Sequence, residues 1–213
     1  MRIVKDAETR KTEILDVAEQ IFWEKGYEHA TINDILAETG LAKGSLYYHF
    51  KSKEDILDGL IKRRGDVAIE TAGSIAHTDG LDAQTKLLLI ILSQQPSDER
   101  QKQLTADLEK TSGGQMFIKS LNDIVLRLAP VMQGIIEQGI SEGVFSTPYP
   151  LESSEILLAA AHALFDNGDF AWTQEQRTQK LTAFFVVVER TLGITEGSLF
   201  SLAQSYVANG ANR

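Results

Sequence analysis

The chain has 213 residues, of which 43% are hydrophobic and 24% charged, and its formal net charge is -9. These values are ordinary for a globular protein with a buried core. The sequence contains no cysteine, which excludes disulfides, thiolate catalysis and cysteine-ligated zinc. Its N-terminus lacks the apolar core of a signal peptide, and no apolar run approaches the roughly 18 residues needed to span a bilayer. We therefore expect a cytoplasmic protein that makes no membrane contact.

Charge is distributed unevenly along the chain. Residues 1–64 carry 11 Lys and Arg against 12 Asp and Glu, whereas the remaining residues carry 10 against 18. Only the first part can therefore approach a polyanion without strong repulsion. Between Thr39 and Lys53 there are three lysines and no carboxylate. A local cationic stretch in an acidic chain indicates a contact with phosphate.

The first helix is predicted to begin near Thr9, whose hydroxyl can cap the free amides of the first turn. Gly26 is suited to end it, because glycine adopts the left-handed conformation that closes many helices. The apolar positions recur at helical spacing. They are Ile14, Leu15, Ala18, Ile21 and Phe22.

Two short helices follow, separated by a tight turn at Gly40. Thr31 is positioned to cap the first of them, and Asp34 completes a capping-box pattern. The second runs from about Ala42 to His49 and carries several hydrogen-bond donors. Its core-facing residues are predicted to be Leu46 and Phe50. Ser52 then caps a fourth helix that we expect to reach about Ile75.

From Gly80 onward the helices become longer and more apolar. Leu81 to Gln94 is predicted to be a buried helix, with a buried strand as the alternative. A helix from Ser97 to about Lys110 should come next. A long one from about Gln115 to Glu142 follows, and Pro130 is expected to kink it.

The last long helices are predicted at about Leu151 to Asn167 and from Thr173, which opens a capping box, to Gly193. Both have wide apolar faces, which pack either inside one chain or against a second copy. Periodicity alone does not separate the two possibilities. A final short helix near Leu199 to Val207 completes an all-α chain.

The sequence GLAKGSLYYHFKSKEDIL, which ends at residue 57, resembles the recognition segment of the tetracycline-repressor-like (TetR) transcription regulators. The resemblance extends over roughly residues 9 to 60. It implies a helix-turn-helix DNA-binding domain at 1–58 and a helical ligand-binding and dimerisation domain at 59–213. The implied function is a homodimeric regulator, a repressor by resemblance, that binds a palindromic operator and is released by a small-molecule effector.

The resemblance also implies roles for individual residues. Those matching the DNA-binding pattern are Thr31, Lys43, Gly44, Ser45, Tyr47, Tyr48, His49 and Lys53, with Thr31 and Lys53 as phosphate contacts. The resemblance favours a dimer, whose interface residues are predicted as Ala159, Ala163, Leu181, Phe184, Phe185, Val188 and Leu192. The candidate effector-binding residues are Leu88, Met116, Phe117, Leu121, Arg127, His162, Phe165 and Trp172. Core packing is the competing interpretation for every residue of this last set.

Other functions find little support in the sequence. Its four histidines are scattered, and no glycine-rich phosphate-binding loop occurs, so we expect neither an enzyme nor a bound metal or cofactor. The alternative to a regulator is a helical interaction or ligand-binding module without DNA binding. The intact basic segment argues against that alternative.

Overall fold

A computed structural model of the protein describes residues 7–93, 115–166 and 172–210, with side chains described for 7–93, 118–165 and 172–206. Over these ranges the chain forms nine α-helices and one short π-helical segment, and no β-strand. The all-α prediction is confirmed. In the same ranges, no helix has both the length and the apolar character that crossing a membrane needs.

The helices follow one another with short connections. They are α1 (Ala7–Lys25), α2 (Ile32–Thr39), α3 (Lys43–His49), α4 (Lys53–Ala76), α5 (Ala83–Ser93), α6 (Gln115–Ser141), α7 (Pro150–Ala161), the π segment (His162–Asp166), α8 (Gln174–Leu192) and α9 (Ser198–Gly210). The predicted helix from Ser97 to Lys110 lies outside the described residues.

The chain divides into two compact units. Among the described residues, the first unit contains 7–66 and 115–120, and the second contains 67–93, 121–166 and 172–210. The division falls within α4 and within α6, so these two helices contribute residues to both units. Each unit has its own apolar core.

The core of the first unit begins with the predicted face of α1. All five of its apolar residues are buried, and α1 ends before Gly26, which has a φ of 74°. Tyr27 folds back so that its ring and the Phe22 ring pack edge to face, with their centres 5.1 Å apart. Closure by a left-handed glycine followed by an aromatic contact is a common way to end a helix.

Polar caps define the ends of α2 and the start of α4. The Thr31 hydroxyl accepts a hydrogen bond from the Asp34 amide, and Gly40 closes α2 with a φ of 65°. At α4, the Ser52 hydroxyl accepts from the Asp55 amide at 3.1 Å. Both caps match the predicted ones and satisfy amides that a helix terminus leaves free.

Close packing of α4 in the first unit depends on Gly59. A Cβ atom at this position would lie 2.9 Å from the Phe50 ring and 3.1 Å from a methyl group of Leu15. The Arg63 guanidinium also joins α4 to α1, because it donates to Asp16 at 2.5 Å and to Glu19 at 2.7 Å. Helix α1 is therefore held to α4 by both packing and ion pairs, and Phe50 at the end of α3 packs against α4.

In the second unit, residues 83–93 form a helix and not a strand, so the helical prediction is confirmed for α5. The helix has a buried polar residue, Lys86, with 7% of its surface exposed. Its ammonium donates to the Ala76 carbonyl at 2.8 Å and to the Gln138 side chain at 3.1 Å. Glu142, one turn beyond Gln138, accepts from the Ala83 amide at 3.0 Å. This polar network links the end of α4, the start of α5 and the end of α6.

The predicted dimer interface stays a prediction. Four of its residues lie in the core of the second unit with at most 9% of their surface exposed, so they offer little area to a partner. They are Phe184, Phe185, Val188 and Leu192. Their apolar spacing is real, but α5, α6 and α7 of the same unit cover it. Ala159, Ala163 and Leu181 are half-buried and stay a prediction.

The outer faces of α7 and α8 expose other apolar side chains. Ile156 on α7 is 65% exposed, and Val187 on α8 is 50% exposed. The predicted capping box at the start of α8 is present, with Thr173 and Gln176 exchanging hydrogen bonds. At the other end of α8 the buried Glu189 carboxylate accepts from amides at the start of α9.

Candidate nucleic-acid interface and ligand cavity

Helix α3 has one buried side and one exposed side. Leu46 is fully buried and Phe50, at the C-cap, is 2% exposed, which fixes the rotation of the helix on the first unit. The opposite side presents Lys43, Gly44 and Tyr48 to solvent, and Tyr48 has 75% of its surface exposed. The remaining polar candidates on this helix are half-buried, namely Ser45, Tyr47 and His49.

The exposed side of α3 also has a defined arrangement. The Lys43 ammonium lies 5.8 Å from the centre of the Tyr47 ring, and the rings of Tyr48 and His49 meet edge to face at 5.1 Å. The Lys51 ammonium donates to the Tyr47 carbonyl at 3.0 Å, near the end of the helix. A Cβ atom at Gly44 would meet no atom within 4 Å, so the exposed surface is open at this position.

The hydrogen bonds of Thr31 are already made within its capping box. Its hydroxyl donates to the Asp34 carboxylate at 2.7 Å, and its amide donates to the same carboxylate at 2.9 Å. The Lys25 ammonium lies 2.6 Å from that carboxylate and, together with Thr31, lowers the pKa of Asp34 to about 2. A phosphate contact by Thr31 stays a prediction, and it requires Thr31 to exchange one of these bonds.

Lys53 is held by the segment between α1 and α2. Its ammonium donates to the carbonyls of Tyr27 at 2.7 Å, Ala30 at 3.0 Å and Glu28 at 3.3 Å. It also lies 4.4 Å from the centre of the Tyr27 ring. Since an ammonium has three protons, these carbonyls account for all of them. The phosphate contact predicted for Lys53 requires at least one of these bonds to break.

The second unit contains a partly open apolar cavity of about 70 Å³. Its walls come from α5, α6, α7, the π segment and α8. They are lined by Leu87, Ile90, Ile91, Ile124, Leu128, Met132, Leu157, Leu158, Ala161, His162, Phe165, Leu181, Phe184 and Val188. Among these described lining residues, His162 is the one whose side chain carries a nitrogen or oxygen atom that can form hydrogen bonds. It is 7% exposed.

Among the predicted effector-binding residues whose side chains are described, two line the cavity, His162 and Phe165. Leu88 is fully buried but does not line it, and the Arg127 guanidinium forms an ion pair with Asp123 at 2.9 Å. The Trp172 ring packs edge to face against the Phe165 ring, with their centres 6.3 Å apart. Leu121 is half-buried outside the lining. Met116 and Phe117 belong to α6, but their side chains lie outside the described residues.

Sequence reasoning missed most of the cavity wall. Leu87, Leu128 and Leu157 carry no signal beyond being apolar, and any core residue shares that property. Leu181, Phe184 and Val188, which the sequence analysis predicts at the dimer interface, are part of the cavity lining. A helical pattern shows that a face is apolar, but it does not show whether that face meets a void, a core or a partner.

The α2–turn–α3 pair on a three-helix core, with polar and basic residues on the exposed side of α3, defines a helix-turn-helix DNA-binding protein. Residues 14–60 match the model of bacterial regulatory proteins of the tetR family, and residues 98–187 match the tetracyclin repressor-like C-terminal domain. Together the two matches cover more than half of the sequence. The chain belongs to the TetR family of transcription regulators.

Individual relatives agree with the family. The chain is 26% identical over 147 residues to the HTH-type transcriptional repressor KstR2 of Rhodococcus jostii, covering 67% of this chain and 71% of that protein. It is also 26% identical over 142 residues to the fatty acid metabolism regulator protein of Bacillus subtilis, covering 66% and 73%. These relatives are regulators, and neither is named as an enzyme.

Solved structures show the same fold. A TetR-family transcriptional regulator from Pectobacterium atrosepticum has a TM-score of 0.67 at 21% identity, covering 90% of this chain and 98% of that one. The fatty acid degradation regulator FadR from Bacillus halodurans has a TM-score of 0.62 at 20% identity, covering 88% and 96%.

Proposed function

We propose that this ligand-responsive DNA-binding regulator acts as a homodimer, reads a palindromic operator with α3 and is released from it by a small molecule bound in the second unit. The exposed side of α3 carries the DNA-binding part of the proposal. Leu46 and Phe50 fix the helix so that Lys43, Gly44 and Tyr48 face outward, and no carboxylate lies between Thr39 and Lys53. Repression, as the sign of regulation, rests on resemblance to the named relatives. The proposed activity is binding without catalysis, in the cytoplasm.

Each residue type on α3 suits a defined part of the contact. Lys43 can donate to the guanine acceptors of the major groove, and the flanking donors can hold phosphates. Gly44 lets the backbone approach the bases because no side chain projects there. We assign base-edge contacts to Lys43, Ser45 and Tyr48, and mainly phosphate contacts to Tyr47 and His49.

A dimer follows from the small size of this surface. One α3 helix offers few contacts on a chain with a formal net charge of -9, so a single copy should bind DNA weakly. Two copies place two α3 helices about 34–36 Å apart on successive turns of the duplex. The exposed Ile156 and Val187 on α7 and α8 supply apolar surface for the contact between copies.

Release requires the effector to bind the form that does not bind DNA more tightly than the form that does. Helix α4 is a suitable carrier of the change, because it follows α3 directly and contributes residues to both units. A change in the direction of α4 would alter the separation of the two α3 helices. The effector is therefore expected to weaken operator binding without entering the DNA surface.

The DNA contact is tested by titrating DNA from upstream of the chain's own gene and measuring fluorescence anisotropy. Lys43→Ala combined with Tyr48→Ala should lower affinity at least about tenfold, because two base contacts are lost. Gly44→Ala should also lower affinity, although it should not destabilise the fold, since its Cβ meets no atom within 4 Å.

Gly73→Ala in α4 is the matched control, because a Cβ there also meets nothing within 4 Å. It should leave operator affinity unchanged. Failure of the unmodified protein to bind this DNA at low salt would favour the alternative of an interaction module. Equal affinity for the double variant would remove α3 from the DNA contact.

A further inference from the structure

We infer that the cavity of the second unit accepts an uncharged, mainly hydrocarbon molecule that carries one hydrogen-bonding group, and that this group contacts His162. The inference rests on the proposed function, in which this unit binds the effector, and it names the chemical class of that effector. It is carried by the composition of the cavity wall, the size of the cavity and the position of His162.

The wall favours hydrocarbon over charge. The described lining consists of aliphatic and phenyl side chains, one methionine and His162, with no lysine, arginine, aspartate or glutamate. An ionised ligand would lose its hydration there without gaining an opposite formal charge from those residue types, which is strongly unfavourable. Hydrocarbon gains free energy in proportion to the apolar area it removes from water.

His162 supplies the polar contact. It lies on the π segment, which also carries Phe165 and begins where α7 ends. Insertion of a π-helical turn changes the direction of the following side chains relative to an α-helix, and such turns recur at functional sites. A ligand hydroxyl or carbonyl that bonds the imidazole avoids being buried without a partner, which makes one polar group acceptable in an otherwise apolar space.

The present volume indicates that binding changes the unit. About 70 Å³ is roughly half of the approximately 150 Å³ that accommodates a benzene ring in an engineered cavity. A ligand larger than benzene that is fully buried there therefore requires a wider form of the cavity. Such a ligand favours the wider form by its own binding energy, which is the property that an effector needs.

The test compares three probes of equal chain length at pH 7, namely octan-1-ol, octanoate and octylammonium. Thermal melting and calorimetric titration of the full chain should show saturable binding of octanol, with binding of both ions at least about tenfold weaker. Octanoate or octylammonium binding as tightly as octanol would overturn the inference. Absence of saturable octanol binding would overturn it as well.

Variants then place the alcohol in the cavity. His162→Leu should weaken octanol binding about five- to tenfold through loss of one hydrogen bond, and His162→Gln should restore most of it. Ala161→Leu, which fills the cavity, should abolish binding. Leu126→Ala, at a residue of α6 that is 73% exposed and does not line the cavity, is the control and should leave octanol binding unchanged. Unchanged octanol affinity in both His162→Leu and Ala161→Leu would overturn the assignment.

Operator binding, measured in the same samples, separates the two proposals. Octanol that binds in the cavity but leaves operator affinity unchanged contradicts effector-driven release and leaves the assignment of ligand class intact. Intact operator binding together with no octanol binding contradicts the ligand class and leaves the proposed regulator intact.

Discussion

Lys53 begins α4, but its ammonium stabilises a segment more than twenty residues earlier in the chain. The three carbonyls that it contacts lie between the last turn of α1 and the cap of α2. These carbonyls belong to the turn between α1 and α2, where backbone acceptors need a hydrogen-bond donor from elsewhere in the chain. Lys53 thereby helps to fix where α2 starts, and α2 in turn positions the turn before α3.

Replacement of Lys53 by methionine separates this role from a phosphate contact. Lys53→Met should lower the melting temperature by about 2–6 °C, because hydrogen bonds to a charged group are lost. The slope of log affinity against log salt should stay unchanged, since the native ammonium already bonds three carbonyls. Lys51→Met, whose ammonium donates to the single Tyr47 carbonyl, serves as control and should melt near the native temperature.

A phosphate contact would give the opposite result. Its loss would reduce the salt slope by about one unit with little effect on melting. At the scale of single residues, the sequence predicted contacts between near neighbours in the chain well and contacts between distant residues less well. Thr31 and Asp34 form the capping box that their spacing predicts, because the bonds are local. The distant carbonyls around Lys53 depend on how α1, α2 and α4 pack, and no spacing rule encodes that.

At the scale of the element, helix ends were more predictable than helix faces. Gly26, Gly40 and Gly193 all adopt positive φ directly after a helix, as a C-terminal glycine signal implies. The face of α8 was harder to predict. Its apolar residues are spaced as expected, but α5, α6 and α7 cover them, and that cover comes from segments up to about a hundred residues away. Cavity residues are harder still, since Leu87 lines the void and its neighbour Leu88 does not, although both are fully buried.

Gly59 gives a prediction about α4. Replacing glycine by alanine within a helix ordinarily stabilises a protein by about 0.5–1 kcal/mol. Here the added methyl group would approach the Phe50 ring at 2.9 Å, and Phe50 is packed against the same core as α1. Gly59→Ala should therefore destabilise the fold by about 1–3 kcal/mol in urea unfolding.

The same substitution at Gly73 provides the comparison, because Gly73 lies in the same helix and a methyl group added there would have no atom within 4 Å. Gly73→Ala should be neutral or stabilising. If Gly59→Ala also proved stabilising, Phe50 would have room to move, and the tight packing of α4 would not position α3.

For the whole molecule, the proposed dimer requires apolar surface that the chain itself leaves uncovered. The buried residues of α8 offer little such surface, whereas Ile156 and Val187 are 65% and 50% exposed. The proposed interface therefore consists of the outer faces of α7 and α8. This proposal uses the two helices that the sequence analysis predicted at the interface and adds Ile156 and Val187, which the sequence analysis did not name.

Charge substitutions test that interface. Ile156→Glu combined with Val187→Glu should convert a dimer to a monomer in analytical ultracentrifugation, because two carboxylates from each copy would be buried in an apolar contact. Operator affinity should fall together with the loss of the dimer. Leu126→Glu, at a residue that is 73% exposed on α6, is the control and should stay dimeric. A double variant that sediments like the native protein would exclude this interface.

Lys86 has a mechanical consequence inside the second unit. Its buried ammonium joins the last carbonyl of α4 to Gln138 on α6. Separating the end of α4 from it would leave a buried charge without one of its two acceptors, which is unfavourable. Sliding of the end of α4 past α5 is therefore resisted as long as the hydrogen bond from Lys86 to the Ala76 carbonyl is intact.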